Sequence, residues 1–330
     1  MIETRRLEIG IDDAGRRADR ILRIILSSYP LSFIHRTIRK GNILLNGRKF
    51  RPNALVQEGD ILEIDSSLGI DNRRHLSNPP SSPLDPTLIL VENDTFLVLN
   101  KPRGILVHNG RDSLEAMVRG YLAKSDTGSI SFTPGPLHRL DRNTSGIIVF
   151  SKALTAARSF SEAMRSRKFV KIYLALLEGE LLHQALWDDA LVREGLTRKT
   201  NVLQDIHSTQ ESSSKAKQAV TRVFPILSNK KITFALFTIS TGRTHQLRAQ
   251  ASHQGYPLCG DMKYGGSPFL ETETPQYLLH AWKLRTNNEP LPGFPSEIEA
   301  PLPNYFSQIV AKTFLLDKKE VYSTLANFRI

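Results

Sequence analysis

The chain reads as an α+β protein in two unequal parts. A small α/β unit comes first, followed by a larger domain built on a mixed, largely antiparallel β-sheet flanked by helices and loops. Three observations lead there. Near the N-terminus the apolar pattern runs twice at helical spacing and then twice as short strand-like stretches. A stretch rich in Ser, Asn, Asp and Pro follows. Beyond it, strand-length and helix-length patterns do not alternate regularly, which disfavours a doubly wound parallel sheet.

The small unit spans residues 12–65. Ile21, Leu22, Ile25 and Leu26 share one helical face. Pro30 ends that helix, and Ser32 is placed to cap a second, which contains Phe33, Ile34, Thr37 and Ile38 and is closed by Gly41. Ile43-Leu44-Leu45 with Asn46-Gly47 gives a strand and a tight turn, and Ile61-Leu62-Glu63-Ile64 the return strand. Residues 66–86, with Pro79, Pro80, Pro83 and Pro86, have the composition of a flexible linker, so the two parts are expected to be loosely coupled.

The larger domain spans residues 87–302. Strands are predicted at 88–91 and at 96–100, the second stopped by Pro102. Ala153, Ala156, Ala157, Phe160, Ala163 and Met164 form the stripe of a helix, and Ile172, Leu174, Leu176 and Leu177 a strand. Residues 220–227 and 232–239 alternate as a hairpin around Ser228-Asn229-Lys230. Residues 303–330 carry a helical pattern through Ile309, Val310, Phe314, Leu315, Val321 and Leu325, a C-terminal extension to which the sequence assigns no role.

At 330 residues and 40% hydrophobic content the chain can bury a substantial core. Its apolar runs fall short of the ~20 residues of a membrane span. No signal-peptide pattern follows Met1-Ile2-Glu3-Thr4-Arg5-Arg6. The single cysteine, Cys259, excludes an internal disulfide and a cysteine-rich metal site, which fits a reducing, cytoplasmic setting. The formal charge of +11 is concentrated: residues 16–51 hold ten Arg and Lys against Asp19 alone, a net +9. Such a cluster is the footprint of a phosphate-binding surface. A solvated basic face is the plainer alternative.

His138-Arg139-Leu140-Asp141-Arg142-Asn143-Thr144-Ser145-Gly146 places one carboxylate between two guanidiniums, just before the apolar run Ile147-Ile148-Val149-Phe150. Asp141 then sits in a loop ahead of a buried strand, charge-paired with Arg139 or Arg142. An oriented carboxylate of this kind can act as a nucleophile, although a surface ion pair gives the same local pattern.

The order His-Arg-Leu-Asp-Arg-x-Thr-Ser-Gly resembles the signature of the RluA family of RNA pseudouridine synthases. Three further segments are similar to that family in the expected order. They are residues 93–108 with Asn100-Lys101-Pro102-Arg103-Gly104, then Lys171-Ile172-Tyr173-Leu174-Ala175, then Thr241-Gly242-Arg243-Thr244-His245-Gln246-Leu247-Arg248 with Gly260-Asp261 and Tyr264-Gly265. The resemblance covers about two thirds of the chain. Residues 12–65 resemble the RNA-binding domain of ribosomal protein S-four, with Arg36, Arg39, Lys40, Arg48 and Lys49 where that family presents basic residues to RNA.

The resemblance implies an isomerase that converts uridine in RNA to pseudouridine and needs neither cofactor nor metal. It implies Asp141 as nucleophile, Arg248 as its partner across the cleft, and Tyr173 stacked on the uracil as a candidate base. Arg139 would fill the gap left by the flipped nucleotide, Leu247 would wall the base, and His138 and Lys171 would orient or touch substrate. The family often has a histidine where this chain has Gln250, so altered packing beneath Arg248 is expected. The nearest branch is of RluC type, which implies large-subunit (23S) ribosomal RNA as substrate and a monomer acting on RNA. Transfer RNA is the alternative target. A non-catalytic RNA-binding assembly factor and a base-excising glycosylase are the rival classes.

Overall fold

The computed structural model describes residues 4–70, 80–123, 129–130, 132–194, 199–205, 216–268, 276–287 and 289–328. In the small unit β1 (Thr4–Glu8) pairs antiparallel with β3 (Ile61–Asp65), whose other edge takes β2 (Ile43–Leu45). Helices α1 (Ala18–Ile25) and α2 (Leu31–Lys40) close the core, with Ile21, Leu22, Ile34 and Ile38 packed on Ile43, Val56, Leu62 and Ile64. Asn46 and Gly47 both take positive φ, 51° and 71°, the geometry of a tight hairpin turn. Gly41 ends α2 at φ 86°.

Three details depart from the sequence reading. β1 lies ahead of residue 12, and being an exposed edge strand it carries no alternating apolar pattern to mark it. α1 ends at Ile25, well before Pro30. Pro30, and not Ser32, occupies the N-cap of α2, where proline's fixed φ suits entry to a helix and Ser32 falls inside the first turn.

Residues 71–79 of the segment read as a linker lie outside the described residues. On either side of them, Leu68 packs on the small core and Leu84 on the large one. The two parts also meet directly. Asp13 Oδ2 accepts from Ser129 Oγ at 3.0 Å and Ile130 N at 2.6 Å, and Asp12 Oδ1 from Thr155 N at 3.4 Å.

The larger domain carries β4 (Ile89–Glu92), β5 (Phe96–Lys101), α3 (Leu114–Leu122), β6 (Gly135–Pro136), β7 (Ser145–Ser151), α4 (Leu154–Arg165), β8 (Phe169–Glu178), β9 (Ala185–Arg193), β10 (Thr200–Val202), β11 (Lys217–Ser228), β12 (Ile232–Ile239), α5 (Gln246–His253), β13 (Leu279–Thr286), β14 (Glu297–Glu299), α6 (Asn304–Phe314) and α7 (Lys318–Asn327). Its sheet runs β10-β9-β11-β12-β8-β13-β7-β5-β4, with β14 beside β13 and β6 beside β7. The β7–β13 pair is parallel and its neighbours are antiparallel, the mixed sheet that the sequence predicts.

Alternation along β8 separates the two faces of the sheet. Ile172, Leu174 and Leu176 pack with α6 and α7, whereas Tyr173, Ala175 and Leu177 pack with α5. The C-terminal extension is two helices because Leu315 turns left-handed at φ 55° and an Asp317–Glu320 capping box starts the second.

Candidate active site

The loop before β7 is shaped by the residues that follow Asp141. Thr144 N donates to Asp141 O at 3.1 Å, closing a turn, and the Thr144 hydroxyl lies 3.3 Å from Tyr277 Oη. Ser145 Oγ meets His280 Nδ1 at 2.9 Å. Gly146 sits at φ 109°, where an added Cβ would lie 2.2 Å from Ala281 O, so a side chain there would force β7 off β13.

From the other side, Lys101 Nζ donates to the carbonyls of Pro102, Ile105 and Arg142 at 2.8, 2.9 and 3.0 Å. Burial draws its pKa down to about 7 against the opposing charge of Asp141. Gly104 N donates to Arg142 O, and Arg142 Nε donates back to Gly104 O. Arg142 is thereby occupied, and Arg139 is exposed at the cleft mouth.

The carboxylate's charged partner is Arg248, whose Nη1 lies 3.2 Å from Asp141 Oδ2. This corrects the local expectation of pairing with Arg139 or Arg142, since neighbours in sequence point apart across the turn. Arg248 arrives on α5 already held. Its Nε and Nη2 bind Asp261 side-on at 2.6 and 2.8 Å, and its guanidinium lies 4.2 Å from the Tyr277 ring centroid and 4.8 Å from that of Tyr264. Burial opposes its charge, but Asp261, Tyr277 and Asp141 outweigh that and raise its pKa above the ordinary value. Asp141 keeps 17% side-chain exposure and Asp261 only 1%, so only the first carboxylate can meet a ligand.

His245 Nε2 stands 3.7 Å from Asp141 Oδ2, at a left-handed φ of 54°. Its Nδ1 lies 2.7 Å from Tyr264 Oη, which itself accepts from Thr200 N. Burial lowers the His245 pKa against the pull of Asp141.

Asp141, Arg248, Tyr173, Leu247, Lys171, His138 and Arg139 all line one cleft of about 220 Å3. That is smaller than the ~300–1,000 Å3 of pockets for drug-sized ligands and suits a single base. Burial, reinforced by the charge on Asp141, raises the Tyr173 phenol well above its ordinary pKa. Burial and then Arg243 bring Lys171 to about 8. His138 is a strut as much as a wall: Val149 N donates to its Nε2 at 3.1 Å, and burial takes its pKa to about 3.

Asp261, Tyr264 and Tyr277 belong to this site, yet the sequence alone assigns them no role. Gly260-Asp261 and Tyr264-Gly265 are visible as matching segments, whereas Tyr277 has no local signal. Gln250 is fully buried, accepts from Thr221 Oγ1 at 2.6 Å and donates to Asp189 Oδ2 at 2.7 Å, so its amide is paired against β9 and β11. Arg36, Arg39, Lys40, Arg48 and Lys49 are all exposed on α2 and the turn after β2. The arrangement can present one anionic oxygen, oriented by a guanidinium, to a planar group inserted beside Tyr173 and Leu247.

Comparison with known proteins agrees with that geometry. Residues 95–253 match the family model described as RNA pseudouridylate synthase. The chain is 32% identical over 307 residues to the ribosomal large subunit pseudouridine synthase C of Yersinia pestis, covering 90% of this chain and 92% of that protein. It is 32% identical over 308 residues to the protein of the same name in Pasteurella multocida, covering 90% of each. Human RNA pseudouridylate synthase domain containing 4 superposes with a TM-score of 0.54 at 21% identity, over 69% of this chain and 93% of that one, a likeness of fold. A carboxylate clasped by arginine in a base-sized cleft, a family model centred on that cleft and end-to-end similarity to these enzymes together place the chain in the RNA pseudouridine synthase family, the RNA-modifying isomerases.

Proposed function

We propose that this synthase is of RluC type and isomerises uridines of large-subunit (23S) ribosomal RNA, with Asp141 as its nucleophile. The observation that carries the assignment of Asp141 is its position: partly exposed in the cleft, while its partner Arg248 is anchored from behind by Asp261. The names of the bacterial relatives support the ribosomal target.

In this reading Arg139 occupies the space of the extruded nucleotide and offsets part of the few kcal/mol that flipping costs. Asp141 forms a covalent adduct, the N-glycosidic bond breaks and the base turns; its carbon 5 then joins the sugar, the carbon 5 proton leaves, and the bond to Asp141 breaks to free the carboxylate. Leu247 and Tyr173 hold the uracil plane, and His138 keeps the loop in place. Tyr173 is a poor base while Asp141 carries its charge, because that charge and burial both favour the phenol. Adduct formation neutralises Asp141 and removes one of the two causes, so proton removal by Tyr173 belongs after the adduct.

Lys171 and Arg243 face the cleft as a cationic pair suited to the phosphate next to the flipped uridine. With its pKa near 8, the Lys171 ammonium is present below that pH and lost as pH rises through it. RNA affinity should therefore fall between pH 7 and pH 9 in equilibrium binding. Lys171→Met should weaken binding at pH 7 and flatten that dependence. An unaltered pH profile would remove Lys171 from the phosphate.

The first 65 residues act, in the same reading, as an S-four-like anchor for structured RNA through Arg36, Arg39, Lys40, Arg48 and Lys49. Changing Arg36, Arg39 and Arg48 to Ala should lower the slope of log affinity against log salt by ~0.7–0.9 for each phosphate no longer neutralised. An unchanged slope counts against the anchor.

The function is tested by mapping pseudouridines in ribosomal and transfer RNA from cells with and without the gene. Loss confined to large-subunit RNA is expected. Loss confined to transfer RNA would overturn the ribosomal assignment.

A further inference from the structure

Helices α6 and α7 lie on the face of the sheet opposite the cleft, packed on the reverse side of the strand that carries Tyr173. We propose that this hairpin positions the catalytic loop, and that Tyr305 is the positioning residue through which it acts. The inference rests on Asp141 being the nucleophile.

Tyr305, in the first turn of α6, reaches the loop that follows Asp141 at two points, one through Arg103 and one at Ser145. Its ring lies under the Arg103 guanidinium, 4.0 Å from carbon to centroid. Arg103 adjoins Gly104, whose N–H and carbonyl are both bonded to Arg142, the residue after Asp141. Among the described residues Arg103 Nη1 is buried without a hydrogen-bond partner, and the aromatic face lies against this guanidinium.

At the second point, Tyr305 Oη lies 3.5 Å from Ser145 Oγ, at the end of the loop. The proton order there is determined. His280 Nε2–H donates to Ala300 O at 3.1 Å, so Nδ1 accepts from the Ser145 hydroxyl, and Ser145 is left with lone pairs toward Tyr305. Ala300 and Phe306 flank the start of α6, and Phe306, Ile309 and Val310 are buried against Ile172 and Leu174. The hairpin thus has a fixed seat on the sheet and one side chain that grips the loop from behind.

A misplacement of about 1 Å at a reacting group can cost about 100-fold in rate. The experiment is single-turnover tritium release from carbon-5-labelled cellular RNA, with RNA affinity and thermal unfolding measured on the same full-length variants. Tyr305→Ala is expected to slow turnover by about 10-fold or more while RNA affinity stays within a few-fold and the protein remains folded at the assay temperature. Tyr305→Phe keeps the ring under Arg103 and should retain most of the rate. Arg103→Met breaks the same interaction from the other side, and combining it with Tyr305→Ala should add little to either change alone.

A folded Tyr305→Ala or Arg103→Met enzyme with the wild-type rate overturns the proposal. So does a loss confined to RNA affinity. If Tyr305→Ala does not fold, the Arg103→Met rate decides. The comparison needs only an RNA that the wild-type enzyme modifies, so failure of the ribosomal target leaves it intact, and failure of Asp141 as nucleophile is read separately from Asp141→Asn.

Discussion

Asp141→Asn is expected to lower pseudouridine formation by ~10,000-fold or more, the scale seen when a covalent nucleophile is removed. RNA affinity should remain within a few-fold. The reason lies in what the substitution leaves behind. The asparagine side chain has nearly the shape of the aspartate it replaces, and the turn made by Thr144 N uses the backbone carbonyl of that position, which is unaffected. Arg248 would keep its bidentate bond to Asp261, so no buried charge is stranded. Stability should then change by no more than the ~0.5–1.5 kcal/mol of one hydrogen bond. Tritium release, equilibrium RNA binding and urea unfolding on one preparation separate the outcomes. A large drop in affinity or stability alongside the drop in rate would make Asp141 a structural residue.

That contrast between what is local and what is assembled also explains how far the sequence can be read. Each small residue after Asp141 has a reason tied to its own position: Thr144 closes the turn, Ser145 meets His280, and Gly146 admits the Ala281 backbone. Such constraints act at fixed positions, so the loop is recognisable as a segment. The helices of the small unit and the hairpin at 220–239 are legible because apolar periodicity reflects burial directly. What local patterning misses is pairing at a distance, although the family resemblance does name Arg248 as the partner of Asp141. Asp141 meets Arg248, 107 residues away, and not its neighbour Arg139 or Arg142. The second clasp on Arg248 comes from Asp261 and Tyr277, in the segment between α5 and β13, where apolar periodicity marks no partner. β1 is hidden for the opposite reason: it is exposed, and exposure leaves no periodic trace. The break in the C-terminal extension does leave a signal, Asp317-x-x-Glu320, a capping box that marks a second helix start.

Arg248→Met should cost both turnover and stability, and a second substitution should separate the two. The arginine keeps 7% exposure and Asp261 1%, so removing the guanidinium strands a carboxylate in the interior. Breaking one side of such a buried pair typically destabilises by ~3–5 kcal/mol, whereas replacing both charges with apolar groups is often neutral. Arg248→Met with Asp261→Leu is therefore expected to recover most of the unfolding free energy that Arg248→Met loses. Turnover should stay as low in the double variant as in the single one, because Asp141 still lacks the group that orients it. Urea denaturation gives the first quantity and single-turnover tritium release the second. A single variant as stable as wild type would mean that Asp261 is hydrated despite its burial. A double variant with restored turnover would mean that the guanidinium serves only to neutralise Asp261, and that Asp141 works without it.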